Sequence, residues 1–351
     1  MIPLGHPSAV LAADLQNLVA RTLPIWAFLR GARIFVTGGT GFYGCWLLES
    51  FAAANQIADL GAELIVLTRN PDRFANARPH LASSPGIKLT QGDVRDFNFP
   101  TGDFTHVIHA ASELSLPNPH DPAGTIESTL QGCRRVLSFA SQKGVKELLY
   151  TSSGAVYGPQ PPGIRFLAED QSVKLLPLNP RSSYGMAKQM GELLCVMEGE
   201  RAGIKVKIAR GFAFVGPYLP NAPHLAAASF LRSALANEKI VIQGHGQTLR
   251  SYLYGADLAE WLWTILVSGS HARPYNLGSD VEISILGLAK TIVGAYGSEL
   301  EIEVRQELPT GAPPDSYLPD ISRARKELHL DVHTPIEESI RRTILHHLET
   351  K

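Results

Sequence analysis

Tyr184 and Lys188 stand four residues apart in the stretch RSSYGMAK. On an α-helix this spacing places the two side chains on one face, one turn from each other. Pro180 lies just upstream, and proline is common at the start of a helix. A cationic amine beside a phenol favours the phenolate, so a tyrosine in this setting can give and take a proton near neutral pH. The pair therefore indicates general acid–base chemistry, although a lone pair of this kind is often incidental on a helix surface.

The stretch GGTGFYG, residues 38–44, is a second candidate for chemistry. It follows an apolar, β-branched run at 33–37 and precedes a segment at 45–58 that we expect to be helical. Glycines between a strand and a helix let the backbone approach a pyrophosphate, which the free N–H groups of the helix N-terminus then bind. The glycine spacing fits both G-x-G-x-x-G and G-x-x-G-x-x-G, so the stretch predicts a dinucleotide-binding turn.

Two further residues would face the same dinucleotide if they follow parallel strands. Arg69 follows the predicted strand at 63–68, at a place where a carboxylate often holds the ribose 2′-hydroxyl of NAD. An arginine can instead pair with the 2′-phosphate of NADP, which favours NADP slightly over NAD; a solvated loop residue is the alternative. Asp93, after the predicted strand at 87–91, could accept a hydrogen bond from the adenine amino group.

Hydroxyl side chains cluster in the stretch TSSGAVYG, residues 151–158, directly after a predicted strand at 145–150. Hydroxyls at the carboxyl end of a central strand point into the crevice where ligands bind. There they can hydrogen-bond a substrate oxygen as negative charge develops on it. A serine-rich turn without function is the alternative.

A regular alternation of strands and helices between residues 31 and 211 positions these stretches. Predicted strands lie at 33–37, 63–68, 87–91, 105–109, 145–150 and 205–210, and the helices between them include 45–58, 125–142 and 183–201. Such alternation predicts an α/β fold with a doubly wound parallel sheet, helices on both faces and right-handed crossovers.

The alternation stops after residue 211, which predicts a smaller, partly interleaved α+β substrate lobe at 212–252 and 278–351. We expect residues 253–277 to return to the first domain, and predicted helices fall at 225–237, 256–267, 286–296 and 335–348. Residues 1–30 form an N-terminal helical extension in which Pro24 should end or kink the helix. We expect this extension to be a strap on the main domain, with a dimer contact or a lid as alternatives.

Composition and charge narrow the class of protein. The chain has 351 residues, 44% hydrophobic and 19% charged, with a formal net charge of −1, so no broad field favours nucleic acid or an acidic membrane. Cys45, Cys133 and Cys195 lack metal-ligand spacing, and we expect buried free thiols in a reducing compartment and no metal site. No basic leader and no apolar run near about 18 residues occurs, so we expect no signal peptide, no membrane span and a cytoplasmic location.

The three motifs GGTGFYG, SSGAVYG and Y-x-x-x-K, taken in this order, resemble the extended short-chain dehydrogenase/reductases, specifically the NAD-dependent epimerase/dehydratase family. The resemblance covers residues ~31 to 345 and includes the stretch YNLG at 275–278. It implies a Rossmann-type domain that binds NADP or NAD and a small lobe that binds a nucleotide-diphosphate sugar. It also implies a homodimer in which the helices at 125–142 and 183–201 pack as a bundle.

The resemblance also assigns roles to individual residues. Ser153, Tyr184 and Lys188 match the catalytic residues, and Ser153, Tyr157 and Arg250 are expected to contact the substrate, with Arg250 clamping its diphosphate. The expected cofactor contacts are Gly38, Gly41, Phe42, Tyr43, Gly44, Thr68, Arg69, Asp93, Val94, Ala110, Ala111, Ser112, Thr151, Tyr184, Lys188, Gly211 and Phe212.

Some positions depart from the family pattern and bear on the reaction. The family's 4,6-dehydratases carry Asp-Glu directly after the catalytic Thr, where this chain has Gly154 and Ala155. Its UDP-glucuronate decarboxylases carry a glutamate where Ala155 stands. Neither Gly nor Ala can transfer a proton, so both reactions would need an acid or base from elsewhere. Ala213 and Thr129 also stand where the family usually has Asn, which affects the expected substrate geometry.

The sequence therefore predicts an NAD(P)-dependent nucleotide-sugar epimerase that works by transient hydride transfer through a keto-sugar intermediate. An NADPH-dependent nucleotide-4-keto-sugar reductase is the first alternative, which Arg69 supports. A 4,6-dehydratase or decarboxylase with a displaced acid or base is the second. A non-catalytic dinucleotide sensor on the same fold is the third, although such a protein has little use for Ser153, Tyr184 and Lys188 together.

Overall fold

The computed structural model describes residues 8–112, 121–172, 174–220, 222–297, 299–309, 311 and 313–350. The strands are β1 Arg33–Thr37, β2 Glu63–Thr68, β3 Ile87–Gln91, β4 His106–His109, β5 Glu147–Ser153, β6 Lys205–Gly211, β7 Phe214–Val215, β8 Ile240–Ile242, β9 Leu249–Arg250, β10 Leu253–Tyr254, β11 Pro274–Leu277, β12 Ile283–Ser284, β13 Ile302–Val304 and β14 Ser316–Tyr317. The α-helices are α1 Ala9–Trp26, α2 Phe42–Ala58, α3 Pro71–Ala77, α4 Pro79–Ala82, α5 Pro122–Gln142, α6 Ser183–Ala202, α7 Ala226–Leu235, α8 Gly255–Ser268, α9 Ile285–Tyr296, α10 Ser322–Leu328 and α11 Ile336–Glu349.

A seven-stranded sheet in the order β11-β6-β5-β4-β1-β2-β3 forms the centre of the molecule. Every neighbouring pair in it runs parallel. The predicted α/β fold with a doubly wound, Rossmann-type parallel sheet is confirmed. Strand order reverses between β1 and β4, and ligands in such sheets bind outside the carboxyl ends of the strands at this point.

Two apolar cores lie on opposite faces of the large sheet. On one face, side chains of α1, α2 and α8 pack together, with Trp26, Trp46 and Trp263 fully buried among them. On the other face, α5 and α6 cover the sheet with residues such as Phe139 and Cys195. Because both faces are covered, the central strands are apolar nearly throughout, as the run LIVL in β2 shows.

Helix α1 differs from its prediction because it continues through Pro24 to Trp26. Pro24 lies in the last turn, where the ring removes only one backbone bond. Trp26 holds this turn in place, since its indole N–H donates to Thr22 Oγ1 at 2.8 Å and its ring centroid lies 4.9 Å from that of Trp263. No helix among the described residues is both long and apolar enough to span a membrane.

The smaller lobe consists of short strands and the helices α7, α9 and α11. Its core contains residues such as Phe230, Leu288 and Ile340. The chain returns to the large sheet at β11, where Asn276 pairs with Arg210 of β6. Helix α10, which was not predicted, packs beside β11. The two-residue strand β14 pairs with β9 and places Tyr317 beside Arg250.

Candidate active site

A cleft of about 1640 Å³ lies between the carboxyl ends of the large sheet and the smaller lobe. All the predicted cofactor contacts except Gly44 line it, and so do Ser153 and Arg250. The two departures from the prediction, Gly44 and Tyr157, have separate physical reasons.

The glycine turn after β1 is packed too closely for side chains. Gly38 has φ +73°, and a Cβ on it would lie 2.3 Å from the carbonyl oxygen of Ala110. Gly44 lies behind the turn, where a Cβ would be 2.2 Å from the backbone of Gly39, so it serves packing instead of lining the cleft. Gly41 precedes α2 and offers no side-chain cap, which leaves the first N–H groups of the helix facing a ligand. This cradle fits the pyrophosphate of a dinucleotide.

Lys188 is buried, with 2% of its surface exposed, and its ammonium is held in one position. Its Nζ donates to the carbonyl of Thr151 at 3.0 Å. The same atom lies 5.9 Å from the ring centroid of Tyr184 and 5.1 Å from that of Tyr150. A buried ammonium is destabilising unless it is hydrogen-bonded, so these contacts fix Lys188 beside Tyr184 and the end of β5.

Ser153 ends β5 and begins a 3-10 turn at Gly154–Tyr157. Its Oγ accepts a hydrogen bond from the N–H of Ala155 at 3.2 Å. The hydroxyl oxygen of Tyr317 lies close to the next residue, since a Cβ added to Gly154 would be 2.4 Å from it. The adjacent Ser152 also lines the cleft, but its Oγ is buried and has no hydrogen-bond partner among the described residues.

Tyr157 does not line the cleft, in contrast to its predicted role as a substrate contact. The 3-10 turn directs its side chain back into the protein, where 1% of its surface is exposed. Its hydroxyl donates to Asn276 Oδ1 at 2.7 Å and accepts from Arg210 Nη1 at 3.0 Å. Burial raises the pKa of Tyr157 to about 12. The residue therefore links the YNLG stretch of β11 to the turn that follows β5.

Arginine side chains line the cleft where strands β2 and β3 end. Arg69 and Arg73 are exposed at its rim, and Asp93 is paired with Arg95 Nε at 2.7 Å. This hydrogen bond lowers the pKa of Asp93. The sequence reasoning missed Arg73 and Arg95. Both were detectable: Arg95 lies two residues after Asp93, and Arg73 lies in the first turn of α3, where its N–H is capped by Asn70 Oδ1 at 2.9 Å.

Carboxylates are scarce in this cleft. Among the lining residues that the structure describes, Asp93 is the one Asp or Glu. Two glutamates lie close behind the turn that follows β5, but both are engaged. The two carboxylate oxygens of Glu192 accept from Nε and Nη2 of Arg210, at 2.9 and 2.7 Å. Glu169 accepts from the backbone N–H of Asn276 at 2.9 Å.

The smaller lobe contributes Arg250 and Tyr317 to the cleft. Arg250 donates through Nη1 to its neighbour's carbonyl, Leu249 O, at 2.8 Å, and its guanidinium lies 5.8 Å from the Tyr317 ring centroid. The Tyr317 ring packs on Phe212, with centroids 4.6 Å apart. The sequence reasoning missed Tyr317, and no spacing signal marks it, because only the pairing of β14 with β9 brings it to the site.

A parallel doubly wound sheet with a glycine-rich turn and a Ser-Tyr-Lys constellation defines a nicotinamide-dependent short-chain dehydrogenase/reductase. The chain belongs to the NAD dependent epimerase/dehydratase family, whose family model matches residues 34–278. The cofactor expected from the motifs, a nicotinamide dinucleotide, is that of the family.

The curated relatives include UDP-glucuronic acid decarboxylases. This chain is 29% identical to UDP-glucuronic acid decarboxylase 1 of Xenopus tropicalis over 317 residues, which cover 89% of this chain and 71% of the relative. It is 28% identical to UDP-glucuronic acid decarboxylase 6 of Arabidopsis thaliana, covering 89% and 88% of the two chains.

Solved structures with this fold include nucleotide-sugar epimerases. The UDP-N-acetylglucosamine 4-epimerase of Methanobrevibacter ruminantium M1 superposes with a TM-score of 0.79 at 20% identity, covering 92% of this chain and 100% of that one. The UDP-glucuronic acid 4-epimerase of Bacillus cereus, solved with UDP-glucuronic acid and NAD, gives 0.75 at 19% identity, covering 90% and 99%. At these identities the likeness establishes the fold.

Proposed function

We propose that this protein is an NAD(P)-dependent nucleotide-sugar epimerase that acts through a transient keto-sugar. One observation carries the proposal: Ser153, Tyr184 and Lys188 meet in a cleft whose only described carboxylate, Asp93, is paired with Arg95. Hydride transfer from a carbinol carbon needs a side chain that takes the hydroxyl proton and one that hydrogen-bonds the same oxygen. Neither has to be a carboxylate. Water loss or decarboxylation assisted by a carboxylate would need one near Ser153.

Each catalytic side chain has a separate task in this mechanism. Tyr184 takes the proton of the reacting sugar hydroxyl. It returns the proton after the keto-sugar has rotated and received the hydride on its other face. Lys188, fixed by the Thr151 carbonyl, keeps positive charge beside the Tyr184 phenolate. Ser153 hydrogen-bonds the same sugar oxygen as its charge changes. A bound nicotinamide cofactor would supply the hydride-accepting and hydride-donating chemistry.

The smaller lobe would hold the nucleotide end of the substrate. Arg250 is half-buried, so its guanidinium is partly removed from water, and this burial lowers its pKa. A desolvated guanidinium binds a diphosphate more strongly than an exposed one. We propose a UDP-sugar as the first substrate class to test, because the curated relatives act on UDP-glucuronic acid by name.

A product assay distinguishes the candidate reactions. The purified enzyme is incubated with UDP-glucuronic acid and with UDP-hexoses, with NAD and with NADP, and the sugars are identified by NMR. A UDP-sugar isomer with no net cofactor change supports the epimerase. Released carbon dioxide with a UDP-pentose would establish a decarboxylase with a displaced acid and overturn the proposal.

A ketoreductase remains the second candidate, because Arg69 and Arg73 give the adenosine end of the cleft a charge that suits the 2′-phosphate of NADPH. Its signature differs from that of an epimerase. The enzyme would consume one NADPH for each nucleotide-4-keto-sugar reduced, and it would leave UDP-hexoses unchanged.

We also propose that α6 forms part of a homodimer interface. Met190, Leu193 and Met197 lie at helical spacing on α6 and are 49%, 60% and 54% exposed. Helix α6 packs along α5, so a second copy could extend this pair into a four-helix bundle. Light scattering after size-exclusion chromatography should show a dimer for the wild type and a monomer for Leu193→Lys. A monomeric wild type at micromolar concentration would refute the proposal.

A further inference from the structure

His109, the last residue of β4, is buried behind the cleft and does not line it. Its Nδ1 lies 2.7 Å from Oγ1 of Thr37, the last residue of the neighbouring strand β1. Its Nε2, on the other edge of the ring, lies 3.6 Å from Sγ of Cys133 on α5. The imidazole therefore connects the strand that leads into the glycine turn with a helix that covers the sheet.

Thr37 in turn holds the two residues that follow β4. Its carbonyl accepts a hydrogen bond from the N–H of Ala110 at 3.1 Å, and its hydroxyl accepts one from the N–H of Ala111 at 3.2 Å. A Cβ added to Gly38 would lie 2.3 Å from the carbonyl oxygen of Ala110 and 2.6 Å from the nitrogen of Ala111. The glycine turn and the end of β4 therefore pack backbone against backbone on the surface of the cleft.

The hydroxyl of Thr37 is the side-chain group in this packing, and its direction depends on His109. A threonine side chain has more than one staggered rotamer, so the hydroxyl faces Ala111 only where a second contact selects that rotamer. Thr37 and His109 are 0% and 4% exposed. Because a buried hydroxyl or imidazole nitrogen without a partner is costly, the contact between them is maintained.

The backbone of His109 reaches the other side of the cleft. Its carbonyl accepts a hydrogen bond from the Thr151 hydroxyl at 3.2 Å, and the Thr151 carbonyl accepts from Lys188 Nζ at 3.0 Å. The ring centroid of His109 lies 5.5 Å from that of Tyr150, which is itself 5.1 Å from Lys188 Nζ. His109 thus lies between the glycine turn and the Lys188 ammonium.

We propose that His109 is a positioning residue for the dinucleotide, because through the Thr37 hydroxyl it fixes Ala110 and Ala111 against the glycine turn. The inference rests on the nicotinamide cofactor that the proposed function requires. It assigns this task to the Nδ1 edge of the ring alone, and the contact of Nε2 with Cys133 serves packing.

The test separates the two ring nitrogens. An asparagine places its amide group at the position of Nδ1, whereas a glutamine places it near that of Nε2. His109→Asn should therefore keep the contact with Thr37 and bind the cofactor within about two-fold of the wild type. His109→Leu and His109→Gln should each bind it about ten-fold more weakly, the loss expected of one hydrogen bond. Fluorescence titration with NADH and NADPH gives the affinities, compared for whichever the wild type binds more tightly.

Cys133→Ala is the matched control, because it removes the contact of the other ring nitrogen. Like His109→Asn, it leaves a void in the core and should lower the melting temperature while the affinity for the cofactor stays unchanged. Thr37→Val removes the hydroxyl and nearly keeps the shape of the side chain. It should weaken binding as much as His109→Leu, and the two losses should not add in the double variant.

A merely structural role would make the affinity follow the melting temperature through the whole series, and that result would overturn the inference. Equal binding by His109→Asn and His109→Gln, or a loss in Cys133→Ala as large as that in His109→Leu, would overturn it too. Should His109→Leu fail to fold, His109→Gln carries the same expectation. A wild type that binds the dinucleotide but converts no nucleotide sugar would overturn the proposed function and leave the inference standing, whereas one that binds neither dinucleotide would overturn both.

Discussion

The edge of the large sheet and the smaller lobe meet at one cleft, but they hold their side chains by different means. On the sheet side, Lys188 and Ser153 are fixed by backbone groups of β5 and of the turn that follows it. On the lobe side, Arg250 and Tyr317 lie on two-residue strands that pair with each other. In the proposed function the sheet side would carry out the chemical step with rigidly held groups, and the lobe would recognise the substrate through elements that are easier to vary.

The first test of this difference between sheet and lobe removes the hydroxyl of Tyr184, the proposed proton-transfer group on the sheet side. Tyr184→Phe should lower kcat by at least about 10³-fold, because the sugar hydroxyl then has no group to take its proton. Circular dichroism and the melting temperature should be unchanged. Near-wild-type turnover in this variant would show that Tyr184 is not the acid–base residue.

A second test disturbs the sheet side through its backbone. Gly38→Ala forces a side chain into a left-handed conformation and against the Ala110 carbonyl, so it should abolish dinucleotide binding and destabilise the fold by about 2 kcal/mol or more. Gly294→Ala is the matched control. Gly294 lies inside α9 with no atom within 4 Å of the added Cβ, so alanine there should stabilise the protein by about 0.5–1 kcal/mol. Calorimetry with NAD and thermal unfolding measure the two effects.

A third test addresses the lobe. Arg250→Ala should raise KM for the nucleotide sugar about ten-fold or more and lower kcat less, because it removes binding to the diphosphate. Arg341→Ala, whose side chain donates to Glu338 at 2.7 Å outside the cleft, should change neither constant. A loss confined to kcat in Arg250→Ala would indicate that this residue acts in the chemical step and not in substrate binding.

The smallest expected effect is on cofactor choice at the rim. If the enzyme uses NADP, Arg69→Ala should weaken NADP binding about ten-fold and leave NAD binding unchanged. Fluorescence titration with the two reduced cofactors measures this difference. Equal affinity of the wild type for both, unaffected by the substitution, would show that Arg69 is a solvated rim residue.

The sheet side could be predicted from the sequence far better than the lobe. The strands β1, β2 and β3 coincide with their predicted ranges, since apolar runs bounded by glycine and polar residues mark buried parallel strands. The spacing of Tyr184 and Lys188 likewise predicts that their side chains share one face of a helix, because both lie on α6. These are local signals, in which neighbours in sequence are neighbours in space.

The residues that escaped prediction depend on long-range contacts. Tyr317 reaches the cleft only through the pairing of β14 with β9, and strands of two residues leave no recognisable pattern in the sequence. Tyr157 was predicted to face the substrate, but the 3-10 turn and the partners Asn276 and Arg210 draw it away. Helix α1 continues past Pro24 because Trp26 packs against Trp263 of α8, far away in the sequence.

The proposed epimerase requires that a hydride leaves a sugar carbon and returns to the substrate without a net change in the cofactor. The most direct measurement is to run the conversion of a UDP-sugar in D₂O with catalytic cofactor and to examine the product by NMR. An epimerase should give an isomer with no deuterium on any sugar carbon and no accumulation of NAD(P)H. Deuterium on a sugar carbon, or consumption of one NADPH for each product molecule, would contradict it.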